Sequence, residues 1–159
     1  VKLPDAENSL TIHWQMSIAN NGDLYFGGRE LKESVSADIF KAELVDGQYT
    51  KVTKLGSAIN SEAPSVLEEC PYIARDGSYL LFARAASTDA QADLYVSFLS
   101  SDGSWSKAQK FSSAVNSSSH DIGPWVSDDG KYLFFTSMRG NSNQNYWVDA
   151  TVIEEMRPK

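Results

Sequence analysis

The sequence predicts an all-β fold in which one four-stranded antiparallel sheet is repeated three times, the last copy lacking its own outer strand. Three observations carry this. A glycine turn recurs at Gly22, Gly77 and Gly130, 55 and 53 residues apart. Each turn is followed by a short apolar run bounded by polar loops. No segment sustains a helical period, and Ile153 to Met156 is too short to argue for one.

The elements follow in order. Ile18-Ala19-Asn20-Asn21-Gly22, Ile73-Ala74-Arg75-Asp76-Gly77 and Val126-Ser127-Asp128-Asp129-Gly130 are apolar strand ends running into Asn-Gly or Asp-Gly turns, where the chain needs positive φ. The second strands are Leu24-Tyr25-Phe26, Tyr79-Leu80-Leu81-Phe82 and Tyr132-Leu133-Phe134-Phe135, apolar on both faces and so buried from both sides. This places Phe26, Phe82 and Phe135 at equivalent positions. Third strands follow at Asp38-Ile39-Phe40, Asp93-Leu94-Tyr95 and Asn145-Tyr146-Trp147. Asp46-Gly47 and Asp102-Gly103 then turn the first two units into lysine-bearing fourth strands, Tyr49 to Val52 and Trp105 to Ala108, with the polarity of a sheet edge. Ala58-Ile59-Asn60 and Ala114-Val115-Asn116 step into the next unit.

Four-stranded antiparallel sheets at this period are blades of a β-propeller. A β-sandwich would bury one face of each strand and alternate more cleanly than Tyr132 to Phe135 does. Residues 1–159 thus form one partial propeller domain, with repeats at about 10–60, 61–116 and 117–159. Propellers close with about four to eight blades, so three make an arc. The expectation is that the remaining blades come from a longer chain, or else from a second copy, with the longer chain preferred.

Val126-Ser127-Asp128-Asp129-Gly130-Lys131-Tyr132-Leu133-Phe134-Phe135-Thr136-Ser137 resembles the TolB-type, WD-like propeller repeat of bacteria, whose core reads roughly S-P-D-G-K-x-L-x-F-x-S. Asp128 stands where that pattern has proline, and Asn20-Asn21-Gly22 departs further. The resemblance spans residues 12–150. It implies a six- or seven-bladed propeller in an exported bacterial protein, periplasmic or secreted, of which this chain is expected to be the C-terminal half of a six-bladed one. It implies no single activity, because such blades serve in translocation-associated proteins, peptidase accessory domains and polysaccharide-processing enzymes.

Propellers bind ligands on the loops that enter each inner strand and on those joining second to third strands. Aligning the units on their glycines makes His13, Glu68 and Asp121 equivalent, followed by Trp14, Glu69 and Ile122, then Gln15, Cys70 and Gly123. The candidate ligand-binding residues are therefore His13, Trp14, Gln15, Glu68, Glu69, His120 and Asp121. With two histidines in the chain, a metal centre lacks ligands and the metal is left unknown. No Gly-x-Ser-x-Gly elbow or His-Glu-x-x-His pair is present, so no catalytic residue and no cofactor is assigned. Cys70, set among carboxylates, reads as a packing residue. Asp38 and Asp93, being periodic, read as structural acceptors of backbone N–H bonds, and Trp105, Trp125 and Trp147 as inter-blade packing.

A net charge of −7 disfavours a nucleic-acid partner, and no apolar run is long enough to span a membrane. The function expected is non-enzymatic recognition of a protein or peptide at the channel mouth and by the loops after the second strands, Gly27 to Ala37, Ala83 to Ala92 and Met138 to Gln144. The alternative is half of a polysaccharide-binding or polysaccharide-processing propeller, lyase or hydrolase, holding a saccharide near the central channel.

Overall fold

In the computed structural model, residues 10–30, 35–140 and 142–159 are described, with the side chains of 10–13 and 30 left aside. Among the described residues, eleven strands form three antiparallel sheets and one helical turn follows the last strand. The first blade contains β1 (Leu10–Ile18), β2 (Leu24–Glu30), β3 (Asp38–Val45) and β4 (Gln48–Lys54), paired in that order. The second contains β5 (Leu67–Ile73), β6 (Tyr79–Ala85), β7 (Ala92–Phe98) and β8 (Gln109–Lys110). The third has β9 (Asp121–Val126), β10 (Tyr132–Ser137) and β11 (Gln144–Asp149), followed by the single turn α1 (Thr151–Glu154). The first strands β1, β5 and β9 lie side by side, which makes them the inner strands.

The repeated glycines close identical turns. Gly22, Gly77 and Gly130 have φ of 87°, 77° and 72°, and each N–H donates to the carbonyl three residues back at 2.8 Å. The positive φ at Gly22 favours glycine, and a Cβ there would also come 2.3 Å from a terminal methyl of Leu44, which would have to turn aside. The first loop is one residue shorter: Ala19 N–H reaches Asp23 O, whereas Ala74 reaches Tyr79 and Ser127 reaches Tyr132. Phe26, Phe82 and Phe135 consequently fall in step, each stacked on the aromatic opposite it in the third strand, Phe40, Tyr95 and Tyr146, with centroids 5.8, 5.9 and 6.1 Å apart.

Phe82 packs between the first and second blades with Tyr25, Ile39, Ile59, Ile73 and Leu80. Phe135 packs between the second and third with Leu81, Leu94, Val96, Val126 and Leu133. Ile153 on α1 seals the outer end of that second cleft, and Arg157 lies 4.4 Å over the Phe98 ring. A helical turn thus stands where the first two units carry a fourth strand. On the face of the third blade turned away from the second, Trp125 and Trp147 are exposed and flank Phe134 across the sheet.

Two side-chain devices join strands where backbone pairing ends. Asn60 is buried; its Oδ1 accepts from Ile39 N–H at 2.8 Å, and its Nδ2 donates to the carbonyls of Ile39 (2.9 Å) and Leu55 (2.8 Å). Asn116 repeats the pattern on Leu94 and Phe111. Asp38 and Asp93, expected to accept backbone N–H bonds, instead take lysines of the fourth strands, Lys54 at 2.8 Å and Lys110 at 2.7 Å. The fourth strand of the second blade also starts later than the sequence suggests. Ser106 Oγ takes the Phe98 N–H at 3.0 Å, and Trp105 makes only an isolated bridge to Leu99, leaving β8 at Gln109–Lys110.

Candidate functional site at the channel mouth

Every inner strand carries a β-bulge at the same place. Gln15, Cys70 and Gly123 have φ of 46°, 54° and 62°, and pairing with the second strand slips beside each of them. The bulges link neighbouring blades: Gln15 Oε1 accepts the Cys70 N–H at 3.1 Å, and the Gly123 N–H is turned to the Cys70 sulfur. Burial pushes the Cys70 thiol up to about 11, so it is a poor nucleophile at neutral pH. Further along the same strands, Ser17 Oγ accepts the Ile73 N–H and the Tyr72 hydroxyl donates to Val126 O, again from one blade to the next.

The pleat separates the two adjacent glutamates. Glu68 pairs across the sheet with Arg84, and Glu69 with Ala83, so they point to opposite faces of the second blade. Glu68 is fully buried; its Oε1 accepts from Arg84 Nε at 2.8 Å and from Ser61 N–H at 3.1 Å, while Oε2 has no partner. Burial pushes its carboxyl above the usual glutamate range, against the pull of Arg84. Asp121, its equivalent in the third blade, is also fully buried, but Ser117 N–H and Oγ donate to Oδ2 and Arg139 to Oδ1. Burial raises its carboxyl too, yet the bonds from Ser137, Ser117 and Arg139 outweigh that and hold it below the usual range.

Both arginines also bind a carbonyl of the incoming connection, Ile59 for Arg84 and Val115 for Arg139. Each guanidinium lies 4.7 Å over a tyrosine ring, Tyr95 and Tyr146 respectively. Sequence reasoning singled out neither arginine. Arg139 comes four residues after Phe135 and Arg84 two after Phe82, so the alignment on glycines hides their equivalence. In the first blade, Arg29 lies 6.0 Å over the Trp14 ring and donates to Ser36 O. His13 is placed in β1 opposite Gly28, but its side chain lies outside the described residues.

Glu69 and His120 do come together. They line a cavity of about 180 Å³ in the cleft between the second and third blades, at the end where β5 and β9 begin and β6 ends. Leu67, Ala83, Ala85 and Ala92 form its apolar wall, in register across three strands, and Ser87, Thr88 and Ala90 of the β6–β7 loop complete it. Small residues at three wall positions leave the space open. His120 Nδ1 accepts the Ala92 N–H at 3.0 Å, so in the neutral ring the proton sits on Nε2. The β6–β7 loop is one of the loops after the second strands expected to bind, but its serine, threonine and alanine give no linear sign of which residues line a pocket. Among the described residues, no three His, Cys, Asp or Glu side chains converge as a metal-ligand set, and no helix is long and apolar enough to cross a membrane.

Three radially packed antiparallel sheets, inner strands together and inter-blade bonds repeating from one boundary to the next, define a β-propeller fold. The solved structure of TolB from Acinetobacter baumannii is similar: 22% of residues are identical, the TM-score is 0.56, and the match covers 87% of this chain. It covers 30% of the TolB chain, so the sequence spans less than a third of that protein's length. No family model matches the chain, and no curated protein is similar to it in sequence.

Proposed function

We propose that this chain is part of a non-enzymatic β-propeller recognition module that binds a protein or peptide at the channel mouth, within an exported protein of the periplasm or the extracellular space. The observation that carries this reading is the cavity of about 180 Å³ shared by Glu69 and His120. It falls below the roughly 300 Å³ at which sites for whole small molecules begin, and suits one side chain of a longer ligand. Of the other ionisable candidates at this end, Glu68 and Asp121 are engaged by Arg84 and Arg139, and the Cys70 thiol is blunted by burial. The export assignment rests on the repeat resemblance in Val126 to Ser137. The exposed Trp125 and Trp147 face of the third blade is where a further blade of the same repeat belongs, since the corresponding faces of the first two blades are covered by their successors.

The test is binding of the chain to an array of unrelated peptides, set beside uronic-acid oligomers. Thr88 is exposed at the cavity, and Thr88→Trp blocks it without touching the core. The expected result is a set of bound peptides that the Thr88→Trp variant no longer holds. Saccharide binding with no peptide binding overturns the proposal in favour of the polysaccharide alternative.

A further inference from the structure

We infer that the cavity between the second and third blades is an anchor for a lysine side chain presented by a basic segment of the partner. The inference rests on the peptide-recognition reading above and adds the chemistry of the group that enters. The wall of Ala83, Ala85 and Ala92 is apolar and the cavity holds only about 180 Å³, which suits an aliphatic stem. Glu69 is half-buried, and its carboxylate is matched to no cation of the chain in the ion pairs of the described residues. A carboxylate lining a cavity with an apolar wall attracts a cation carried on an apolar stem.

His120 is held by the Ala92 N–H, which donates to its Nδ1 at 3.0 Å. The neutral ring keeps one donor, Nε2–H, which suits a carbonyl oxygen of the partner's backbone rather than its ammonium group. The net charge of −7 steers basic segments towards the protein and away from acidic ones.

Three capped tripeptides separate the contributions: acetyl-Gly-Lys-Gly-amide, its Nε-acetyl-lysine counterpart, and the norleucine counterpart, which keeps an aliphatic stem but has no charge. Titration into the ¹⁵N-labelled chain is followed through the amide signals of Glu69, Ala85, Ala92 and His120. The lysine peptide is expected to shift these signals saturably, with the two uncharged peptides about tenfold weaker, and with Glu69→Gln weakening the lysine peptide by a similar factor. Equal shifts by all three at these amides overturn the lysine anchor and leave the peptide-recognition reading standing. Lysine-peptide shifts that Glu69→Gln does not change also overturn the anchor. Silence at these amides with every peptide, including those bound on the array, overturns both.

Discussion

Replacing Asn116 by alanine removes three hydrogen bonds at 2.7, 3.1 and 2.9 Å from a side chain that is 5% exposed. Their loss is not uniform. The Leu94 carbonyl keeps a second donor, the Phe111 N–H at 3.1 Å, so the groups left without partners are the Leu94 N–H and the Phe111 carbonyl. Leu94 is fully buried and water cannot replace the amide. At about 1–3 kcal/mol for each of the two orphaned groups, the variant is expected to lose roughly 2–6 kcal/mol. Asn60→Ala is expected to lose a similar amount, because the Ile39 carbonyl likewise keeps the Leu55 N–H at 3.0 Å. Urea unfolding reads both, with an unchanged slope against urea showing that stability rather than compactness has moved. Asn116→Asp separates geometry from charge: it retains the acceptor for Leu94 N–H but sets an oxygen against two carbonyls, and should be no better than alanine. A loss below about 1 kcal/mol in Asn116→Ala would refute the idea that these asparagines bolt the incoming connection to the third strand.

Two further outcomes follow from the same architecture. Phe82→Ala empties the centre of the first inter-blade cleft and should cost about 3–5 kcal/mol in urea unfolding; under 1 kcal/mol would show that the cleft collapses around the loss. Glu68 makes stability depend on pH with an unusual sign. Its folded carboxyl titrates above the unfolded one, so its contribution is complete below the ordinary glutamate value and is lost as pH rises through the raised folded value. Asp121, held low, behaves oppositely: its contribution is present above the ordinary aspartate value and is lost as pH falls. Glu68→Gln should therefore flatten the decline of Tm with rising pH above the glutamate range while leaving the acid limb set by Asp121. An unchanged pH profile in that variant would show that Glu68 Oε2 has found a partner.

Much of the architecture was written in local pattern. The glycine turns need positive φ, the apolar runs after them need two covered faces, and the return of both at nearly constant spacing names a stacked repeat before any coordinate is known. The missing fourth strand of the last unit was equally visible, since no hairpin turn follows Asn145 to Trp147. The one-turn helix that stands in its place was not, because Ile153 is held by packing in the second cleft rather than by helical period.

The candidate site divides along the same line. Alignment on the turns was enough to bring Glu68, Glu69, His120 and Asp121 to one end of the molecule, but Glu68, Glu69 and Asp121 lie in the first residues of β5 and β9 rather than on the loops before them. Which of them meets open space was decided by the pleat and the neighbouring blade. One residue's difference sends Glu68 into a buried clasp with Arg84 and Glu69 into the cavity beside His120, and no linear pattern distinguishes the two glutamates. The arginine clasps and the alanine-walled cavity depend on what the adjacent sheet brings opposite. A sequence specifies the faces of its own strands through the alternation of side chains, but only the packing of one sheet against the next determines which polar groups are satisfied and which are left facing a vacant space.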